Sequence, residues 1–140
     1  MPKRFMFLVV ALLLGLIVAA PVSAGSYQYT TTITCHTGGD GVLTPRISYS
    51  TDVRVLVETA PNGTVTRKSI VNISNTRHSV YGVQVGIVYE NVNANAWAVG
   101  ADRVGLSVSY TERRRVWIPP FFIEWTWQSF SRSASCYMPV

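Results

Sequence analysis

The sequence predicts an all-β fold, an antiparallel β-sandwich of about seven or eight strands, with a small closed β-barrel as the alternative. Three observations carry this. Beyond residue 24, apolar and polar residues alternate with period two over most of the chain. Turn clusters such as "TGGDG" and "APNG" punctuate the alternating stretches. No segment there repeats its apolar residues at helical spacing. Strands with one wet and one apolar face suit either a sandwich or a barrel.

A helical signal peptide is expected before the domain. Lys3 and Arg4 form a short basic head, residues 5–20 are an unbroken apolar run, and Pro21, Val22, Ser23 and Ala24 provide a small-residue cleavage site. A membrane-spanning anchor needs about 20 apolar residues, and this run is shorter and meets a proline. The predicted organisation is a cleaved signal peptide at 1–24 and a single secreted β domain at 25–140. That domain has ten basic and seven acidic residues, a net charge of +3. So weak a bias gives no reason to expect nucleic acid as a partner.

Both cysteines, Cys35 and Cys136, lie beyond the cleavage site. In an exported chain an even count predicts a disulfide, and two cysteines allow one pairing. It would tie the first strand to the last. Cys35 beside His36 is the other reading, a metal site, but no second ligand cluster accompanies it. No metal and no cofactor are expected.

The first strand covers residues 27–36. Its odd positions are Tyr27, Tyr29, Thr31, Ile33 and Cys35, which puts Cys35 on the inward face. "TGGDG" at 37–41 ends it. Without a following helix it reads as a turn, not a phosphate cradle. Ile47, Tyr49, Val53, Val55 and Val57 then share one parity, as one long strand or as two joined by a bend near Thr51 and Asp52. "APNG" at 60–63 predicts a hairpin joining 52–59 to 64–73. In its second arm Val65, Ile70, Val71 and Ile73 do not share a parity, which a bulge or an edge position would explain. Val83, Val85, Ile87 and Tyr89 form an inward row, "NVNANA" at 91–96 reads as a loop, and Val104, Leu106, Val108 and Tyr110 form a further row.

The last stretch, "RRRVWIPPFFIEWTWQSF" at 113–130, is the most conspicuous. Phe121, Ile123, Trp125 and Trp127 alternate with polar residues and read as a core strand. Before them, the inward parity of residues 104–110 extends to Val116 and Ile118. Arg113, Arg115 and Trp117 then point outward together, while Arg114 heads inward, with Glu112 as its obvious partner. Pro119 and Pro120 form a rigid turn, and Phe122 follows on the polar side. Arg113, Arg115, Trp117 and Phe122 are therefore the candidate binding residues. Exposed aromatics beside arginines suit sugar rings, phosphates, lipid headgroups or a protein surface.

No catalytic residues are assigned. His36 and His78 have no nucleophile motif such as G-x-S-x-G near them, and the seven acidic residues mostly alternate outward. Asn62 and Asn72 begin glycosylation-type triplets. The sequence therefore favours a secreted, disulfide-closed, non-catalytic binding protein. Its partner would be an extracellular protein, a cell-surface polymer or a membrane surface. A membrane-active or antimicrobial protein inserting the turn at 117–122 is the alternative, and a small secreted hydrolase comes third.

Overall fold

The computed structural model describes residues 23–117 and 125–140, and for Val116, Trp117 and Trp125 the backbone alone. Most of the expected signal peptide, together with Ile118, Pro119, Pro120, Phe121, Phe122 and Ile123, lies outside the described residues. The described chain contains no helix. It forms six strands: β1 Gly25–Gly38, β2 Arg46–Thr59, β3 Val65–Tyr81, β4 Ile87–Val99, β5 Arg103–Trp117 and β6 Trp125–Pro139.

These build two three-stranded antiparallel sheets, β1-β2-β3 and β4-β5-β6, each a simple meander. The sheets stack face to face as in a β-sandwich. The central strand β2 faces β5, β3 lies over β4 and β1 over β6. Chain direction then sorts the connections into two ends. Residues 39–45 and 82–86 join strands at one end, here the loop end, where β5 also ends and β6 begins. The turns at 60–64 and 100–102 lie at the other, with Gly25 and Val140.

The core comes from the alternation. Ile47, Tyr49, Thr51, Val53, Val55 and Val57 of β2 are buried, and they meet Val104, Leu106, Val108 and Tyr110 of β5. Ile33 and Cys35 of β1 and Tyr89 of β4 complete the layer. Each buried valine, leucine or isoleucine among them contributes about 1.5–3 kcal/mol by leaving water. Cys35 and Cys136 are joined in a disulfide across the two sheets, at a sequence separation of 101. Opposite it, the Ile70 amide donates to the Ala101 carbonyl at 2.8 Å, tying β3 to the β4–β5 turn.

Six strands replace the expected seven or eight because they are long, between 13 and 17 residues. The proposed bend near Thr51 and Asp52 does not divide β2. Thr51 keeps the inward parity, and its hydroxyl is satisfied by the Ser74 carbonyl and the Thr76 hydroxyl at 2.9 and 3.0 Å. The hairpin at 60–64 forms as expected, closed by Ala60 N–H to the Thr64 carbonyl at 2.8 Å. β3 has both features invoked for its mixed parity. It is an edge strand, and its pairing with β2 shifts at three places.

Two inferences along β4 are corrected. "NVNANA" is strand, not loop. Asn91 adopts a positive φ of 52° at the register shift between Glu90 and Asn93. After that bulge Val92, Ala94 and Ala96 face inward between exposed asparagines. Val83 and Val85 are not inward-facing core residues. β3 runs on to Tyr81, and both valines lie exposed in the connection at 82–86.

The β6 parity is the third correction. Trp127 pairs with the outward Arg115 and is 41% exposed. β6 pairs with β5 without a register shift from Trp125 to Pro139. Cys136 must face inward to reach Cys35, so Ala134, Arg132 and Phe130 share its face and Trp127 does not.

Candidate functional site

Alternation and register bring three features together at the loop end. The first is the arginine run. Consecutive strand side chains take opposite faces, so Arg113 and Arg114 part company. Arg113, on the outer face, places Nη1 3.0 Å from Glu90 Oε1 of β4, and its guanidinium lies 5.3 Å from the Trp127 ring centroid. Arg115 follows on the same outer face, and its amide donates to the Gly86 carbonyl at 2.8 Å. Trp117 pairs in register with Trp125 at the strand end. Of the four candidate binding residues, then, the structure describes Arg113 and Arg115 in full. It describes the backbone of Trp117, while Phe122 lies outside the described residues.

The second feature is a cleft of about 330 Å³ between the sheets. Thr37, Gly38 and the loop residues Gly39 and Thr44 form one wall, and Tyr89, Tyr110, Glu112, Arg114 and Arg132 line the other. Gly38 has a φ of 93°, and a Cβ there would stand 2.9 Å from the Tyr89 ring. Only glycine allows that approach at low cost. Tyr89 meets Tyr110 edge to face at 4.9 Å between centroids. Burial raises the pKa of the Tyr89 hydroxyl, with the neighbouring Tyr110 and Glu112 adding to the effect.

Glu112 anchors this cleft. Its side chain is 7% exposed, and two cations serve it. Arg114 donates Nε–H to Oε1, and Arg132 Nη2 lies 3.5 Å from the same oxygen. A buried carboxylate needs such partners. Arg114 and Arg132 themselves reach the rim, with side chains 48% and 46% exposed. The expected Arg114–Glu112 pair is thus present. Arg132 is an addition that counting in twos back from Cys136 would have found.

The third feature is an apolar crest. Val42 is 68% exposed, Leu43 78% and Val85 80%, with Val83 and Tyr81 also open to solvent. The two loops that carry them touch. A Cβ on Gly82 would meet the Gly41 carbonyl oxygen at 2.6 Å, and one on Gly41 would meet the Tyr81 ring at 2.8 Å. Asp40 fixes the first loop by accepting the Val42, Leu43 and Thr44 amides at 2.8 to 3.0 Å. Those bonds, led by the Thr44 amide, lower its pKa to about 2. "TGGDG" is accordingly a turn, and its carboxylate is used within its own loop. Two apolar residues inside a turn-forming sequence were the available signal for the crest.

The histidines do not converge. His36 pairs with Ser48 on the outer face, whereas His78 pairs with Tyr49, an inward position. Among the described residues no group of three or more His, Cys, Asp or Glu side chains could hold a metal ion. No protein-family model matches the chain, and neither a curated protein nor a solved structure is significantly similar to it.

Proposed function

We propose that this is a secreted, disulfide-closed binding protein without catalytic activity, which meets its extracellular partner through the loop end. Residues 1–24 serve as the cleaved signal peptide, and the Cys35–Cys136 bond suits an oxidising compartment. The observation that carries the reading is the crest of Val42, Leu43, Val83 and Val85 beside the Arg113–Arg115 strand end. Contiguous exposed apolar surface with cations at its edge marks interaction sites. Arg113, Arg115 and Trp117 lie toward that end of β5, and with Phe122 they are its expected contacts. The partner is an extracellular protein or a cell-surface polymer.

The crest also favours a second reading, a membrane-active protein whose apolar loop tips enter lipid while arginines meet anionic headgroups. Labelled wild-type protein and a Val42→Asp, Leu43→Asp double variant distinguish the readings on whole cells and on plain anionic vesicles. The first reading predicts cell binding that the double variant loses, without vesicle binding. Vesicle binding lost in the same variant supports the second. Equal binding by wild type and variant on both surfaces contradicts the assignment of the loop end.

A further inference from the structure

The cleft beneath the crest carries an inference that is independent of the identity of the larger partner. Its charged lining is two arginines and one glutamate, a formal sum of +1. The nearest loop carboxylate, Asp40, is committed to its own loop amides. Arg114 spends Nε on Glu112, and its two terminal nitrogens have no acceptor among the described residues. Arg132 meets Glu112 at 3.5 Å through one nitrogen and lies over the Phe130 ring at 5.4 Å. Each guanidinium therefore keeps a free edge of N–H donors at the mouth of the cleft. Glu112, fixed by burial, holds both side chains at one place and offsets one of the two charges. The Tyr89 and Tyr110 rings supply an apolar wall. The volume sits at the small end of ligand sites, which run from about 300 to 1,000 Å³.

We propose that this cleft binds a small organic anion, a carboxylate or phosphate monoester on a compact ring or apolar body. Arg114 and Arg132 grip its oxygens as forks, and the body rests against Tyr89 and Tyr110. Glu112 is a positioning residue that sets the spacing of the forks. One negative charge balances the cleft, and a carboxylate or phosphate monoester also accepts the bidentate bonds that chloride cannot.

The test is a titration of the full secreted protein with inorganic phosphate and, separately, with benzoate, followed by NMR of the Tyr89 and Tyr110 ring signals. Both probes should give saturable, mutually competitive, one-to-one binding that weakens as salt rises. Benzoate should bind tighter than phosphate if the rings contribute. Arg132→Gln should weaken both by at least about tenfold, whereas Arg67→Gln, at the far end, should not. Arg132→Lys should restore part of the affinity, since it keeps the charge and loses the fork. The proposal is overturned if neither probe shifts the tyrosine signals of the wild-type protein saturably. Unchanged affinity in a folded Arg132→Gln variant would overturn it equally. The wild-type titration decides the matter even where a variant fails to fold.

Discussion

Arg113 and Arg114 are neighbours in the chain, yet their side chains serve opposite faces of one sheet. Arg113 pairs with Glu90 and covers Trp127 outside, and Arg114 bonds the buried Glu112 inside. The same residue type therefore carries two different energies. An exposed ion pair contributes about 0–1 kcal/mol, and a cation over an exposed ring adds about 0.5–1 kcal/mol at most. Removing a partner of a buried carboxylate costs more, although Arg132 and the half-exposed position of Arg114 soften the loss. Arg114→Ala should therefore destabilise more than Arg113→Ala, whose two exposed contacts together contribute about 0.5–2 kcal/mol at most. Denaturant unfolding of both variants checks this. Equal midpoints would mean that Glu112 does not depend on Arg114.

Trp97 lies flat across Gly105 on the outer face of the second sheet and meets Tyr137 edge to face at 6.1 Å. A Cβ on residue 105 would stand 2.5 Å from the indole. Gly105→Ala should thus cost about 1–3 kcal/mol through overpacking. The cost should largely vanish in a Trp97→Ala background, because the clash partner is gone. Additive effects in that double-mutant cycle would remove Trp97 as the reason for the glycine.

The disulfide closes nearly the whole domain. Chain-entropy reasoning gives about 4–5 kcal/mol for a loop of this size. Reduction, or a Cys35→Ala, Cys136→Ala variant, should lower the melting temperature by at least about 10 °C. Intact mass of the unreduced protein should also lie two hydrogens below the reduced value. Quantitative labelling of two thiols without reductant would contradict the pairing.

Asp40 makes the loop end sensitive to acid. Its pKa is about 2, held below the ordinary 3.8 by the Thr44, Val42 and Leu43 amides. A carboxylate with a depressed native pKa stabilises above its unfolded value and loses that contribution as pH falls through the folded one. The Val42–Thr44 turn should accordingly stay ordered at pH 5 and loosen between about pH 4 and pH 2. Amide exchange at Val42 and Leu43 reads this directly. Asp40→Asn should exchange faster at neutral pH, and protection independent of both pH and the substitution would show that Asp40 does not hold the loop.

The all-β fold, the hairpin at 60–64, the disulfide and the β2 and β5 core rows were legible because alternation there runs unbroken against a buried face. Legibility failed in β4 and β6 for different reasons. In β4 the Asn91 bulge shifts the phase by a residue, so alanines and asparagines that alternate cleanly after it looked like loop. In β6 the alternation of Trp125 and Trp127 with Thr126 and Gln128 suggested that the odd face is buried. Parity counted back from Cys136 was the better guide, because the disulfide fixes which face is inward. Of the site, the Arg114–Glu112 pair followed from parity alone. Arg132 and the tyrosine wall did not, since the cleft exists only once β1, β4, β5 and β6 are set over one another.

The loop end as the contact surface is the central claim. Hydrogen–deuterium exchange of the protein bound to intact cell surfaces tests it most directly. The account predicts new protection at residues 39–46 and 82–87, with residues 60–64 and 100–102 at the far end unchanged. Protection confined to those far turns, or to the outer faces of the sheets, would contradict it.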